Sequence, residues 1–440
     1  MFRLGENKTT VKTEIVAGIT TFMTLSYIIF VQPAVLSKAG MDFGAVMTAT
    51  CLASAFATFL MGIYANYPIA LAPAMGHNFY FAFTVCGAVT AGGMGYRWET
   101  ALGAVFISGL IFVVLTKIGF RETLLNSIPE SLKYAISVGI GLLIAFVGLQ
   151  WAGIVVATPG ILVGLGNLKS TPVLLSIAGL LITSILISKG VRGAILFGMV
   201  GTALAGLPLG IVKYHGILSM PPSLAPTFLK LDLNGIFSAS GATIIFIFFF
   251  LALFDTIGTL VGVSEQAGFI KNGRLPRAEK ALLSDSVGMT AGALLGTSTV
   301  TSYIESAAGI ATGGRTGLSN ITTGVLLVAA LFFSPLAMMA GGGYEASKGV
   351  FLYPVIAPVL IIIGSMMIKG VKHIRWDDTS ESIPAFLTIM IMVATVSITE
   401  GIAFGFISYS ILKLISDKRR DVHWMIYLFS SLFVLRYIIV

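Results

Sequence analysis

Three polar side chains of this sequence stand in surroundings that do not call for them. Asp255 interrupts Phe246-Ile-Phe-Phe-Phe-Leu-Ala-Leu-Phe-Asp-Thr-Ile-Gly-Thr, and Glu305 follows the hydroxyl-rich run Thr297-Ser-Thr-Val-Thr-Ser-Tyr-Ile. Asn78 lies in Ala72-Pro-Ala-Met-Gly-His-Asn-Phe-Tyr-Phe. A carboxylate deep in an apolar segment costs about 2.5–3.5 kcal/mol on insertion scales, and by default it marks a functional site. Two acids and an amide make a set that accepts and donates hydrogen bonds to a polar solute. Thr259 shares a helix face with Asp255 four residues earlier, and Gly258 permits a close neighbour. Asp285 lies nearer the basic Lys280 end of its segment, where an ion pair is as good a reading as function. His77 has no partner at metal-ligand spacing and reads as a packed or water-facing histidine.

Other chemistries find no residues to carry them. The nearest approach to a P-loop, Gly313-Gly-Arg-Thr-Gly, lacks the spacing and the lysine, which argues against an ATP-driven pump. There is no H-E-x-x-H, no G-x-S-x-G and no Cys/His cluster. Cys51 and Cys86 both fall in apolar runs and suggest neither a disulfide nor a metal site. No metal and no cofactor is expected. An enzyme built here would have to rest on Asp255 and Glu305 alone, so the expectation is that this is not an enzyme.

The elements that must position these residues are membrane spans. The chain has 440 residues, 56% hydrophobic and 10% charged, with mean hydropathy +0.95. A soluble domain carries about 25% charged residues. Apolar segments fall near 14–36, 45–65, 73–86, 99–117, 133–150, 172–189, 191–211, 236–264, 279–296, 298–311, 317–340, 350–369, 382–399 and 401–416. Most are long enough to cross a hydrocarbon core of about 30 Å. The polar N-terminus MFRLGENKTTVKTE has no h-region, so the first apolar run is expected to be retained. The stretch 423–440 is also apolar and reads as an interfacial segment rather than a fifteenth crossing.

The formal charge of +8 does not point to nucleic acid, because the basic residues fall between apolar runs instead of clustering. Their placement is an orientation signal. With a cytoplasmic N-terminus, alternate loops hold Lys117, Arg121 and Lys133, then Lys189 and Arg192, then Lys271, Arg274, Arg277 and Lys280. Arg315 follows, then Lys369, Lys372 and Arg375, then the tail with Lys413, Lys418, Arg419 and Arg420. The opposite loops carry scattered positives such as Lys38, Arg97, Lys213, Lys230 and Lys348.

The chain also echoes itself. Segments 71–86 and 296–311 are both short and broken by Gly, Pro, Ser or Thr, and they occupy corresponding places in two halves. Ser37-Lys-Ala-Gly-Met after the first span resembles Glu265-Gln-Ala-Gly-Phe after the eighth. Seven spans per half is an odd number, so the halves must have opposite topology. Paired broken segments in inverted repeats locate a transporter's binding site. Pro73 and Gly76 favour extended backbone before a helix from about His77–Asn78, and the Ser/Thr run favours extended backbone before one from about Tyr303–Glu305. The residues alone reach a carrier of a small hydrogen-bonding solute. Phe79, Phe254 and Tyr303 are candidates to stack on a flat one.

Glu14-Ile-Val-Ala-Gly-Ile-Thr-Thr-Phe-Met-Thr-Leu-Ser-Tyr-Ile and Phe254-Asp-Thr-Ile-Gly-Thr-Leu resemble the AzgA-like purine permeases, a branch of the nucleobase–cation symporters. So does Thr297-Ser-Thr-Val-Thr-Ser-Tyr-Ile-Glu-Ser-Ala-Ala-Gly-Ile-Ala-Thr-Gly-Gly-Arg-Thr-Gly-Leu, the longest and most specific of the motifs. The resemblance implies an all-α polytopic fold of 14 transmembrane segments in two inverted seven-segment repeats, with short strands in broken segments 3 and 10. It implies a core domain from 1–118 and 233–343, a gate domain from 119–232 and 344–422, and a homodimer through the gate. It implies proton-coupled uptake of hypoxanthine, guanine or adenine across the plasma membrane. The family's polar residue of segment 3 falls on Asn78, its segment 8 acid on Asp255 and its segment 10 glutamate on Glu305. Proton coupling would then fall to Asp255, Glu305 or Asp285. A second acid the family often carries three positions before Asp255 is here Ala252. The same fold carrying a pyrimidine, xanthine or small anion is the alternative.

Overall fold

A computed structural model describes residues 2–91, 93–118, 129–158, 162–237, 239–270, 275–347, 350–416 and 422–439. Arg121, Lys271, Arg274, Lys348, Lys418, Arg419 and Arg420, counted above for loop charge, lie outside the described residues. So does the side chain of Phe254.

The chain starts with α1 (Val11–Leu25), whose N-cap Thr10 accepts from the Thr13 amide. After a break at Ser26–Tyr27 it continues as α2 (Ile28–Leu36), with Pro33 inside. Asp42 caps α3 (Phe43–Leu60) by accepting from the Ala45 amide, and α3 runs on into a π-helical turn over Met61–Ala65. Strand β1 (Leu71–Pro73) leads directly into the short helix α4 (Met75–Phe79) and a wider turn over Tyr80–Val85. Helices α5 (Trp98–Lys117), α6 (Glu130–Trp151), α7 (Thr171–Ser188) and α8 (Ala194–Gly206) complete the first half, with the hairpin β2 (Val155–Thr158) and β3 (Leu162–Leu165) between α6 and α7.

The second half opens with α9 (Ala239–Gln266) and α10 (Ala278–Leu295). Strand β4 (Val300–Ser302) precedes the short α11 (Ser306–Ala311). There follow α12 (Gly317–Ala329), α13 (Ser334–Gly341), the hairpin β5 (Tyr344–Ser347) and β6 (Val350–Leu352), α14 (Ala357–Met367), α15 (Thr379–Thr395) and α16 (Ile398–Ile415). The apolar stretch from 423 forms α17 (Trp424–Ile439), which packs on α16 and hydrogen-bonds to it from Ser430 to the Phe406 carbonyl at 2.8 Å.

Both short helices start at different residues from those expected. The first begins at Met75, two residues early, because Ala74 already has extended backbone and ends the strand. The second begins at Ser306, with Glu305 at its N-cap position. Among the described residues, seven helical stretches are long and apolar enough to cross a membrane. The others are shorter, broken, or polar inside. α10, for example, buries Ser284, Asp285 and Ser286 against its neighbours. Leu174, Leu181 and Ile185 of α7, by contrast, are exposed as lipid-facing residues are.

Two sets of helices pack among themselves. α1, α2, α3, α5, α9, α10, α11 and α12 form one, in which α1 and α3 both lie on α12, and α10 lies on both α3 and α5. α6, α7, α14, α15 and α16 form the other, in which α6 lies on both α14 and α15. Small residues set the close approaches. A Cβ on Gly317 of α12 would collide with the carbonyl oxygen of Gly62, and one on Gly364 of α14 with that of Gly141 of α6. Such contacts let backbones touch where lipid supplies no hydrophobic drive between helices.

Candidate functional site

Strands β1 and β4 pair antiparallel, with Leu71 opposite Ser302, Ala72 opposite Thr301 and Pro73 opposite Val300. The ladder extends through Ala74 N to the Thr299 carbonyl and Tyr303 N to the Ala70 carbonyl, both 2.9 Å. Non-helical backbone inside a membrane protein must find every partner internally, and side chains here supply them. Thr58 Oγ1 accepts from Leu71 N at 3.0 Å and donates to the Leu71 carbonyl at 3.1 Å. Ser306 Oγ accepts from Ala70 N at 2.9 Å. Asn320 Nδ2 donates to the Ile69 carbonyl at 2.7 Å. The Tyr303 hydroxyl donates to the Pro73 carbonyl at 2.6 Å, which locks the end of one strand to the other.

Asp285 secures β4 from behind. Its Oδ1 accepts from the amide and hydroxyl of Ser302, at 2.8 and 2.9 Å, and its Oδ2 accepts from Thr256 Oγ1 at 2.6 Å. It is fully buried. Lys280, considered above as its ion-pair partner, lies over the ring of Tyr64 at 5.1 Å.

The two other acids, Asp255 and Glu305, border this seam. Asp255 stands on α9 about 16 Å from the helix's C-terminal end, at 1.5 Å per residue. Its side chain remains 42% exposed. Thr301 Oγ1 donates to its Oδ2 at 3.1 Å, and His77 Nδ1 approaches the same oxygen to 3.9 Å. Glu305 is partly exposed, and its Oε1 accepts from the hydroxyl of the fully buried Tyr27 at 2.7 Å. Thr24 Oγ1 adds a bond to the Glu305 carbonyl at 3.3 Å. Tyr27 occupies the break between α1 and α2, so a helix interruption there delivers a donor to the acid at the N-cap of α11.

Asn78 is placed differently. It is completely buried, its Oδ1 accepts from the Ser298 hydroxyl, and its Nδ2 has no hydrogen-bond partner among the described residues. Gln32 joins this polar cluster, donating to Thr297 Oγ1 at 3.0 Å, with Thr50 Oγ1 3.2 Å from that same hydroxyl. Phe79 is buried and stacks on Phe83, with ring centroids 5.5 Å apart. Tyr303 lies 6.4 Å from Tyr27, ring to ring, and Thr259 is buried one turn beyond Asp255. The seam thus brings Asp255, Glu305 and Tyr303 together and sets Asn78 in the sealed cluster beside it. Tyr27, Thr301 and Gln32 were not singled out from the sequence. The only hint of Tyr27 was the Thr24-Leu-Ser-Tyr interruption of an apolar run.

The profile of the permease family matches residues 12–404, nearly the whole chain and both halves of the seam. This chain belongs to the permease family. The permease is 50% identical to the putative permease MJ0326 of Methanocaldococcus jannaschii, over 99% of this chain and 97% of that one. It is 45% identical to the guanine/hypoxanthine permease PbuG of Bacillus subtilis, over 99% and 98%. With the adenine permease AdeP of Escherichia coli the identity is 43%, over 100% and 96%. In fold it is similar to the transmembrane domain of the cyanobacterial bicarbonate transporter BicA, at TM-score 0.62 and 16% identity, covering 90% of this chain and 97% of that one. It is also similar to SLC26A9, at TM-score 0.63 and 9% identity, covering 93% of this chain and 67% of that one. The permease is a multi-pass membrane transporter, not an enzyme. Its two broken segments carry the short paired strands β1 and β4 within a mostly helical fold.

Proposed function

We propose that this permease takes up purine nucleobases (hypoxanthine, guanine or adenine) together with a proton, and that the seam of β1 and β4 is where the base binds. The observation that carries the reading is the convergence of two partly exposed carboxylates, Asp255 and Glu305, at that seam in a chain whose full-length relatives include adenine and guanine/hypoxanthine permeases. A purine edge presents ring N–H donors next to carbonyl or amino groups, and a carboxylate receives such donors side by side. Glu305, held at one oxygen by Tyr27, keeps the other for the base. Tyr303 borders the same opening, and Asn78 with Ser298 holds the two broken segments in register from within. Protonation is the natural coupling step, because it neutralises an acid that would otherwise cross the membrane's interior charged.

In this reading the chain crosses the plasma membrane 14 times in two inverted sevens, with the N-terminus inside. The set of helices around α1, α3, α10 and α12 acts as the core and the set around α6, α14 and α15 as the gate, with a dimer formed through the gate. Alternating access is movement of one set against the other around the seam. The packing of the two sets supports this division.

A small-anion substrate would suit the fold of BicA and SLC26A9, but two carboxylates at the opening repel anions. Uptake of radiolabelled hypoxanthine, guanine and adenine into purine-transport-deficient cells tests the reading. Accumulation that disappears when the proton gradient is collapsed is the expected result. No accumulation of any nucleobase above the vector control defeats it.

A further inference from the structure

The two exposed acids of the seam have unlike neighbours. Glu305 faces a neutral phenol, which donates to it at 2.7 Å and can only reinforce it as an acceptor. Asp255 faces an imidazole, a group with two ring nitrogens able to hold a proton. His77 is 2% exposed, and its ring approaches the Asp255 carboxylate, Nδ1 to Oδ2 at 3.9 Å. Its other nitrogen, Nε2, is buried without a hydrogen-bond partner among the described residues. Asp255 is thus a group with which the ring can exchange a proton. Asp255 in turn is partly exposed, its side chain at 42%, so a proton can reach the pair through it. The other acids and phenols nearby are committed: Asp285 to Ser302 and Thr256, Glu305 to Tyr27, and Tyr303 to the Pro73 carbonyl.

We infer that His77 and Asp255 form the pair that holds the transported proton, while Glu305 and Tyr27 hold the base. The inference rests on the proton-coupled reading above and divides its labour between two sites. In the empty carrier the pair is a neutral imidazole beside a carboxylate, with net charge −1. One proton from the outer side makes it neutral overall, either as the carboxylic acid beside neutral imidazole or as imidazolium beside carboxylate. The same proton leaves to the inner side after the base, and the pair returns to −1. The gap of 3.9 Å is about 1 Å beyond a hydrogen bond. Exchange between the two groups then needs a turn of the carboxylate or one bridging water. His77 is a positioning and coupling residue in this scheme and makes no contact with the base.

The test compares two partial reactions of purified full-length protein in liposomes, with radiolabelled adenine and hypoxanthine. One is accumulation driven by an imposed pH gradient. The other is counterflow of labelled against unlabelled base with no gradient. His77→Gln keeps hydrogen-bonding capacity but cannot carry a proton. It is expected to hold counterflow within about threefold of wild type and to lose at least tenfold in gradient-driven accumulation. His77→Asn is run beside it, so that poor folding of one variant does not decide the outcome. Wild-type accumulation ratios in either variant overturn the inference, and so does an equal fall in counterflow and accumulation, which would place His77 in base binding. A wild-type protein that exchanges base but ignores the gradient refutes proton coupling itself, before His77 is considered.

Discussion

The hydroxyl of Tyr27 lies 2.7 Å from Oε1 of Glu305, joining residues 278 positions apart in the sequence. This bond ties the break between α1 and α2 to the N-cap of α11, and it fixes the carboxylate beside the strand seam. Removing it should weaken binding more than it disturbs the fold, because the phenol's ring remains to fill its place. A hydrogen bond to a charged group is worth about 1.5–3 kcal/mol. Tyr27→Phe is therefore expected to raise the KM for purine uptake by roughly 10- to 100-fold, with much less effect on maximal rate. Uptake kinetics over a range of base concentrations check this.

Part of the candidate site was legible in the sequence. The acids Asp255 and Glu305 were conspicuous because apolar surroundings make a carboxylate expensive, and Pro73, Gly76 and the Ser/Thr run marked the broken segments. Both breaks contain the expected strands, and the strands pair with each other. The partners of the acids were not legible. Tyr27, Thr301 and His77 reach Asp255 or Glu305 through tertiary packing, and no periodicity along one helix announces a contact made between segments. His77 reads from the sequence as a packed or water-facing histidine; the structure buries it, and its approach to Asp255 required the fold. Glu14 escaped notice for a further reason. It lies near the polar start of the first span, where an acid is unremarkable, and its carboxylate serves another helix altogether.

That carboxylate caps α12. Glu14 is fully buried and accepts from the amides of Arg315, Thr316 and Ser319, at 2.9, 3.4 and 3.2 Å, and from the Ser319 hydroxyl. Glu14→Ala leaves those donors buried and unpaired at a helix N-terminus. The expected cost is about 2–4 kcal/mol of stability, seen as a lower unfolding temperature of the detergent-solubilised protein. An unchanged melting curve would mean that water takes over the role.

A second buried charge network lies between α15 and α16. Lys413 Nζ is 2.8 Å from Glu381 Oε1, both side chains under 5% exposed, and Tyr409 donates to the same oxygen at 3.3 Å. Removing Glu381 leaves the buried Lys413 only the more distant Asp378 carboxylate at 3.9 Å, and breaking a buried pair costs up to about 3–5 kcal/mol. Glu381→Gln should thus destabilise strongly, while Glu381→Gln combined with Lys413→Met should recover much of the loss. Chemical denaturation of the three proteins provides the comparison.

Lys38, at the end of the first span, sits among three rings at 4.7 Å (Tyr353), 5.7 Å (Phe351) and 5.9 Å (Trp151). The rings belong to the end of α6 and to the stretch around β6, and the lysine to the turn after α2. Each such contact is worth about 0.5–1 kcal/mol at an exposed site. Lys38→Met is expected to loosen this junction and increase iodide quenching of tryptophan fluorescence, whereas Lys38→Arg should preserve the wild-type value. Equal quenching in all three proteins would show that the rings hold without the cation.

Direct binding of purine to the purified protein tests the central claim, that Glu305 at the β1–β4 seam holds a nucleobase. Equilibrium binding of radiolabelled hypoxanthine, guanine and adenine is measured for wild type and for Glu305→Gln, both checked for intact folding. Saturable binding of at least one base by wild type, weakened 30-fold or more in the variant, is the predicted result. Binding of the same affinity in both proteins would contradict it.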